Sequence, residues 1–252
     1  MRLDLALVSR GLARSRNQAA SLIKQSLVQV NGKLAEKSSQ IVVATDSLEV
    51  LGEIYVARSA EKLLYALDHF GIQVPDNCLD IGASTGGFTQ VLLERGAKSV
   101  IALDVGSDQL ASELRSDPRV LDLSGRNIRE VEVSEIPNSH QVGLTVVDLS
   151  FISLKLVSDK FLEIAPNAQF IVLIKPQFEL QKSMLNDQGV VVSAANRETA
   201  LKSALTAMAD SGLKLLGLCV SPITGTHGNV EYLAHLVKGE PGNWEKFIAS
   251  VR

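Results

Sequence analysis

Cysteine and histidine are scarce in this chain of 252 residues, which has two cysteines, Cys78 and Cys219, and four histidines. The cysteines form no Cys-x-x-Cys pair, so the sequence favours a reducing compartment over a disulfide framework or a structural zinc site. No apolar run approaches the ~18 residues needed to span a bilayer. Charges at Arg2, Asp4 and Arg10 interrupt any signal-peptide core at the start of the chain. These absences predict a cytoplasmic protein without a membrane partner.

Disorder is also excluded as the dominant state, because hydrophobic residues make up 46% of the chain and can form a sizeable core. The net charge of −3 conceals an asymmetry: residues 1–40 carry seven basic and two acidic side chains, and the rest of the chain is acidic. A basic end on an acidic body suggests a small module that binds a polyanion. On charge alone, a solvated basic helix face is an equally good interpretation.

Residues 1–55 are predicted to form a small domain of two helices and a β-hairpin. Gly11 is placed to end the first helix, and Ser15 to cap the second. Asn31-Gly32 is a strong hairpin signal because both turn positions need positive φ. Apolar stretches at 41–43 and 48–51 complete the unit.

This segment resembles the alpha-L RNA-binding motif of ribosomal protein S four, many pseudouridine synthases and tyrosyl-tRNA synthetase. The resemblance rests on RLDLAL, SRNQAASLIKQSLVQVNGK and the later D-x-L-x-V. It differs at Ser26, where the family usually has glycine. Such a module contacts phosphates and RNA shape rather than reading bases. The candidate RNA-binding residues are Arg2, Arg14, Arg16, Lys24 and Lys33.

From residue 56 to residue 252, apolar runs alternate with amphipathic stretches, which predicts an α/β domain with a mostly parallel, doubly wound, Rossmann-like sheet. The predicted strands are 78–81, 99–103, 120–123, 144–147, 170–174, 214–220 and 230–236. The predicted helices are 87–95, 107–115, 152–164 and 194–211, and Ala60 to Leu64 has the pattern of a helix entry.

A glycine-rich turn follows the first of these strands. It departs from the dinucleotide fingerprint, which has glycine where this chain has Ser84, and instead resembles the DxGxxxGG pattern of S-adenosylmethionine (AdoMet) methyltransferases. The candidate AdoMet-binding residues of the turn are Asp80, Gly82, Ala83, Ser84, Thr85, Gly86, Gly87 and Phe88. Asp80 is assigned to the methionine amino group, Asp104 to the ribose hydroxyls and Asp122 to the adenine edge. A loop that merely clusters glycines is the alternative reading.

Four charged residues interrupt apolar surroundings at strand or helix ends: Lys62, Asp148, Lys175 and Glu231. Charged side chains at the carboxyl ends of parallel strands point into the ligand crevice. For any one of them, an ion pair at the end of the sheet is the simpler explanation, but not for all four.

In this order the four resemble the catalytic tetrad of FtsJ-type RNA ribose 2′-O-methyltransferases. A ribose hydroxyl is a poor acid and must lose its proton as it attacks the methyl group. Lys175 can steer that hydroxyl, stabilise the developing oxyanion or act as the base. The sequence leaves these roles open.

The whole chain resembles the TlyA family, which joins the alpha-L module to an FtsJ-like domain. The matching blocks include GASTGGFTQVLLERGA, VVDLSFISL, LIKPQFE and GNVEYL. The resemblance implies 2′-O-methylation of cytidine in ribosomal RNA, with rRNA or ribosomal subunits as partners. Phe151 and Phe178 are candidates for the substrate pocket wall, with core packing as the alternative. The family's glycine pair is replaced by Ser59 and Ala60, and its GGVVRD block reads QGVVVS at 188–193.

Two other functions are weighed against this one. The chain is alternatively a noncatalytic RNA-binding or ribosome-assembly factor that retains an AdoMet site. The older family name hemolysin suggests a pore-forming protein, but the sequence shows no strongly amphipathic cationic helix.

Overall fold

The computed structural model describes residues 1–24, 26–51 and 55–251. The chain divides into two compact units, Met1–Ile54 and Tyr55–Arg252. No helix among the described residues is long and apolar enough to cross a membrane.

The N-terminal unit packs two helices against a three-stranded sheet. Its elements are α1 (Leu3–Ser9), α2 (Arg16–Lys24), β1 (Val28–Val30), β2 (Lys33–Leu34) and β3 (Leu48–Val50). The sheet order is β2-β1-β3, and both pairings are antiparallel. Leu3, Leu7 and Val28 are fully buried between the helices and the sheet.

The local signals in this unit act as predicted. Gly11 follows α1 with a φ of 72°, and Ser15 accepts a hydrogen bond from the Gln18 amide at the start of α2. Asn31 and Gly32 have φ values of 51° and 75°, as the hairpin turn requires. The apolar stretch at 41–43 joins the unit through an isolated bridge between Ile41 and Arg2.

The C-terminal unit is a seven-stranded sheet with helices on both faces, which confirms the predicted fold class. Its helices are α3 (Ala60–Phe70), α4 (Gly87–Glu94), α5 (Ser112–Arg115), α6 (Ser158–Ile164), α7 (Pro176–Glu179), α8 (Ala194–Asp210) and α9 (Glu245–Ser250). Its strands are β4 (Asn77–Ile81), β5 (Ser99–Asp104), β6 (Val120–Ser124), β7 (Leu144–Val147), β8 (Gln169–Ile174), β9 (Leu213–Val220) and β10 (Tyr232–Lys238).

The strand order is β6-β5-β4-β7-β8-β10-β9, and β10 alone among these strands runs in the direction opposite to the other six. The start of β10 therefore lies at the edge where the parallel strands end. Side chains alternate between two buried clusters, with Leu79 and Ile81 facing one and Cys78 facing the other. This sheet brings the ends of β4, β5, β7 and β8 to one edge together with the start of β10.

Two predicted helices are shorter than the sequence suggested, and the last strand is shifted by two residues. The predicted helix 107–115 is helical only over α5, because Asp108 has a left-handed φ of 56°. The predicted helix 152–164 begins as a 3-10 turn at Leu154–Leu156 and becomes α-helical only at Ser158. The last strand begins at Tyr232 rather than Val230.

Candidate functional site

The glycine-rich turn between β4 and α4 lies against the end of β7. Gly82 has a φ of 87°, and a Cβ atom there would overlap the carbonyl oxygen of Asp148. The amides of Gly82 and Ala83 both donate to the carbonyl of Leu103, at 2.8 and 3.1 Å. Only glycine meets both demands, the left-handed backbone and the close approach.

Asp104, the last residue of β5, organises the turn through both oxygens of its carboxylate. The Ser84 amide donates to one oxygen at 2.8 Å, and the Gly106 amide donates to the other at 2.7 Å. The carboxylate is half-buried and lines a cavity of about 500 Å³. Each oxygen keeps a further lone pair for a ligand hydroxyl.

A second, smaller cavity of about 170 Å³ adjoins the first. Gly82, Ser84, Asp148 and Ser150 line both cavities, so the two spaces meet at the glycine turn. The smaller cavity also reaches Ala83, Thr85, Phe88 and Lys175. The two spaces together form an elongated crevice along the carboxyl edge of the sheet.

Asp80 lies two residues before Gly82 and is completely buried. Thr89 of α4 donates a hydrogen bond of 2.7 Å to one carboxylate oxygen, and the other oxygen has no partner among the described residues. Burial raises the pKa of Asp80 to about 7; the Thr89 bond lowers it, and the charges of Asp148 and Asp104 raise it further. Asp80 lines neither of the two cavities, so its unpartnered oxygen lies behind the glycine turn, as a buried acceptor suited to a cationic group.

Asp122 does not reach the crevice, contrary to the expectation from the sequence. It lies in the middle of β6, opposite Ala102, where it pairs with Arg115 at 3.2 Å. The residue that lies opposite Asp104 is Ser124. Residues beyond the end of β6 line the larger cavity instead, namely Arg126, Asn127 and Ile128. The apolar run in the sequence ends at Leu123, which places Asp122 near the predicted end of the strand. Residues 126–128 therefore lie outside the site that the sequence predicts.

Lys62 and Glu231 form a buried ion pair of 2.5 Å, although they are 169 residues apart in the chain. Lys62 comes from the first turn of α3 and is 5% exposed, whereas Glu231 immediately precedes β10 and is 2% exposed. Because β10 is antiparallel, Glu231 lies at the carboxyl edge although it stands at the start of its strand.

Lys175 and Asp148 form the second pair, with 2.6 Å between the ammonium and the carboxylate. Lys175 also donates to the hydroxyl of Ser150 at 2.7 Å. Gln177 connects the two pairs, because it follows Lys175 in the chain and its amide donates to Glu231 at 3.4 Å. The structure thus brings the four predicted residues together as two linked ion pairs, one of which lines the crevice.

The residues that replace the family's glycine pair present Lys62 without backbone strain. Ser59 has φ and ψ values of −58° and −26°, which any residue adopts, and its carbonyl accepts the amide of Lys62 at 2.9 Å. Ala60 is helical. Glycine is therefore not required at these positions by the backbone that the chain adopts here.

Phe151 stands at the mouth of the larger cavity and is 92% exposed. Its φ of 64° is left-handed, which is uncommon for an aromatic residue and occurs at functional sites. Its ring lies 5.2 Å from that of Phe178, which in turn lies 5.9 Å from the Lys175 ammonium. Core packing does not explain Phe151.

The predicted RNA-binding side chains fall into two groups in the N-terminal unit. Arg2 and Arg16 converge on Asp4, at 3.0 and 3.2 Å. The other three, Arg14, Lys24 and Lys33, lie exposed elsewhere on the unit.

Two family models match the chain, one in each of its two units. The FtsJ-like methyltransferase model matches residues 55–238, and the S4 domain model matches residues 1–48. The "16S/23S rRNA (cytidine-2'-O)-methyltransferase TlyA" of Mycobacterium tuberculosis (strain CDC 1551 / Oshkosh) is 43% identical, with 93% of this chain and 89% of that protein covered.

The chain belongs to the TlyA family.

Two further relatives carry an older name. "Hemolysin A" of Brachyspira hyodysenteriae is 40% identical, with 94% of this chain and all of that protein covered. A solved structure named as a hemolysin, from Streptococcus thermophilus, is 35% identical and superimposes with a TM-score of 0.75, covering 99% of this chain and 94% of that one. Membership of the TlyA family makes the chain an enzyme of the FtsJ-like methyltransferase class.

Proposed function

We propose that this TlyA-family protein transfers the methyl group of AdoMet to the ribose 2′-hydroxyl of a cytidine in ribosomal RNA. The observation that carries this proposal is the position of the Lys175–Asp148 pair on the wall of a crevice formed by the glycine turn. The family supplies the substrate class, since its relatives include a protein named as an rRNA cytidine 2′-O-methyltransferase.

Residues on and behind the wall of the crevice have the chemistry that AdoMet requires. The unpartnered oxygen of Asp80 accepts the methionine amino group, and the two oxygens of Asp104 accept the ribose hydroxyls. Asn127 and Ile128, rather than Asp122, lie on the wall available to the adenine. When bound, AdoMet supplies a methyl group that its sulfonium already activates for transfer.

Lys175 orients the reacting hydroxyl. Its ammonium is held by Asp148 and Ser150, so its position is fixed before the substrate arrives. The ammonium donates a hydrogen bond to the ribose oxygen, and the proton that the hydroxyl loses as the methyl group is transferred passes to the Asp148 carboxylate beside it. The fixed ammonium stabilises negative charge as it develops on that oxygen. Lys175 thereby contributes alignment and electrostatic stabilisation.

The Lys62–Glu231 pair supports this arrangement from the buried side. Glu231 accepts from both Lys62 and Gln177, and Gln177 belongs to the helix that begins directly after Lys175. The pair thus fixes the end of β8 and the start of α7, and Lys175 lies between these two elements.

RNA is held by both units of the protein. The arginines and lysines of the S4 domain contact phosphates, which positions the substrate without reading its sequence. Phe151 offers an exposed ring at the crevice mouth, on which an unstacked base packs. Base stacking on aromatic side chains is typical of proteins that act on single-stranded RNA.

The experiment that tests this function is methylation of ribosomal subunits from a strain that lacks the protein, with labelled AdoMet. We expect label on a cytidine ribose, mapped by its resistance to cleavage at the adjoining phosphodiester. Label on a base, or on protein alone, contradicts the proposal. Binding of both AdoMet and subunits without transfer supports the noncatalytic alternative.

A further inference from the structure

Asp4 is an acidic residue buried inside the most basic part of the chain. It lies in α1, is 4% exposed, and its carboxylate accepts four hydrogen bonds. Arg2 donates two of them, each 3.0 Å long, to the two oxygens. Arg16 donates one of 3.2 Å, and the Leu5 amide donates one of 3.0 Å. The sequence pattern by itself indicates no role for this carboxylate.

The two arginines share one oxygen of Asp4 yet keep their heads in solvent. The side chains of Arg2 and Arg16 are 43% and 60% exposed, compared with 5% for that of Asp4. A guanidinium has five N–H donors, so both retain donors that face outward. The carboxylate therefore lies beneath a pair of guanidinium groups that come from the start of the chain and from α2.

The shared carboxylate offsets two effects that oppose RNA binding: repulsion between the arginines and the loss of side-chain entropy. Two guanidinium groups that bond to the same oxygen lie close enough to repel each other. Each long side chain also loses rotamer freedom when a ligand immobilises it. A shared anion offsets the repulsion and immobilises both side chains in advance. Hydrogen bonding from Arg2 holds the pKa of Asp4 at about 2, with Arg16 lowering it further against the effect of burial. The anion is thus present throughout the physiological pH range.

We propose that Asp4 is a positioning residue for RNA binding, which holds Arg2 and Arg16 as a preformed pair for a phosphate group. The inference rests on the proposed function, in which the S4 domain binds RNA. Removal of a negative charge from an RNA-binding surface ordinarily strengthens binding, but removal of this one weakens it.

The test compares full-length variants in rRNA binding across a salt series. Asp4→Asn keeps the shape of the side chain and loses the charge, and we expect it to bind rRNA about tenfold more weakly, because two arginines are no longer held in place. Asp46→Asn is the matched control: it removes the same charge from the same unit, but its carboxylate bonds to the Val43 amide and to Asn31. We expect unchanged or slightly tighter binding for the control.

A double-mutant cycle separates positioning from folding. In a background of Arg2→Ala and Arg16→Ala, Asp4→Asn has nothing left to position and should not weaken binding further. A purely structural role predicts instead that Asp4→Asn lowers the melting temperature of the protein together with rRNA affinity, whereas positioning predicts loss of affinity without loss of stability. Arg16→Lys provides a second variant if Asp4→Asn melts the unit: it keeps the charge but loses the planar fork, and should also weaken binding.

If Asp4→Asn binds as tightly as the wild type while the double arginine variant binds weakly, the role of Asp4 is refuted and the RNA-binding role of the S4 domain stands. If neither variant weakens binding, both are refuted. Binding of AdoMet, measured in parallel, should be unchanged in every variant because these residues belong to the other unit.

Discussion

Lys175 and Lys62 are both paired with carboxylates, but their surroundings differ. Lys175 lines the crevice with Asp148, whose side chain is 15% exposed. Lys62 and Glu231 are buried against each other, and Gln177 also donates to the Glu231 carboxylate. Loss of one member of a buried pair leaves an uncompensated charge, which destabilises the fold. We therefore expect replacement of Lys62 to lower mainly the stability of the protein, and replacement of Lys175 to lower mainly the rate of methylation.

Replacement of Lys175 by alanine tests its chemical role. We expect single-turnover methylation to fall by ~10²-fold or more, the range for loss of one group that stabilises negative charge in the transition state. AdoMet affinity should change little, and the melting temperature should fall less than for Lys62→Ala, because the carboxylate left unpaired is 15% exposed for Asp148 and 3% exposed for Glu231. Rapid-quench methylation, calorimetry and thermal unfolding measure the three quantities.

Lys98→Ala is the matched control, since Lys98 is an exposed lysine that pairs with Asp76 at the opposite edge of the sheet. It should leave all three quantities unchanged. A Lys175→Ala protein that is strongly destabilised but methylates at a near-normal rate would refute the catalytic role and leave a structural ion pair.

Asp80 links proton binding to AdoMet binding. Its pKa is about 7 in the folded protein against an ordinary 3.8, so between these values the folded state holds a proton that the unfolded chain has released. The ligand-free protein therefore loses stability as the pH rises through this window. AdoMet affinity should rise over the same window, by up to ~10-fold per pH unit below the folded pKa, because the amino cation binds the carboxylate.

Calorimetry from about pH 5.5 to about pH 8 measures the rise in AdoMet affinity. Thermal unfolding over the same range measures the fall in stability of the ligand-free protein. Asp80→Asn should remove both dependences and bind AdoMet weakly at every pH. Affinity that stays flat across the window in the wild type would show that Asp80 is already ionised before the ligand arrives.

At the scale of the elements, the turn between β4 and α4 owes its shape to its contact with the end of β7. Gly82 and Gly96 form an informative pair, because both have left-handed φ values, 87° and 107°, but different surroundings. A Cβ at Gly82 would overlap the Asp148 carbonyl, whereas a Cβ at Gly96 meets nothing within 4 Å. Alanine at either position incurs the left-handed backbone cost of ~1–2 kcal/mol.

Gly82→Ala should additionally displace the turn and abolish measurable AdoMet binding. Gly96→Ala should lower the melting temperature yet leave AdoMet affinity unchanged. Isothermal calorimetry and thermal unfolding of the two variants measure these effects. Equal affinity in both variants would show that the crevice tolerates movement of the turn and that the close approach is not needed.

The sequence predicts most strands of the sheet because each is a short apolar run with polar boundaries. It does not predict how far residues 107–111 depart from a helix, since the positive φ of Asp108 belongs to a loop shaped by its tertiary contacts. Nor does it predict that Asp122 stops two positions short of the sheet edge, because strand register depends on pairing with β5. The cavity wall at 126–128 escapes prediction for that reason.

The tetrad residues could be nominated from the sequence, but their pairing could not. Nothing local indicates that Lys62 belongs with Glu231 and Lys175 with Asp148, because that depends on the antiparallel direction of β10. The left-handed φ of Ser26, at 59°, explains the family's usual glycine there: the position needs that conformation, and serine adopts it at a cost. The positions of charged residues at strand and helix ends thus indicate the site residues, whereas the topology of the sheet determines which of them pair.

On the scale of the whole molecule, the proposed function assigns phosphate binding to the N-terminal unit and methyl transfer to the C-terminal unit. The S4 domain carries the basic excess of residues 1–40, and the methyltransferase domain carries the crevice and both ion pairs. Electrostatic attachment to RNA depends on the number of phosphates neutralised and is sensitive to salt. Chemistry in the crevice depends instead on alignment, which salt affects little.

Deletion of residues 1–52 tests this division. The remaining chain keeps both buried clusters of the sheet and the whole AdoMet crevice, so its AdoMet affinity should equal that of the full-length protein. Its rRNA affinity should fall, and the slope of log affinity against log salt should decrease by about one for each phosphate that the S4 domain no longer neutralises. Filter binding at several salt concentrations measures the slope, and calorimetry with AdoMet serves as the folding control. Because the attraction removed is electrostatic, the difference between the two proteins should shrink as salt is raised. A truncated protein that binds rRNA as tightly as the full chain at every salt concentration would place the RNA-binding surface on the methyltransferase domain alone.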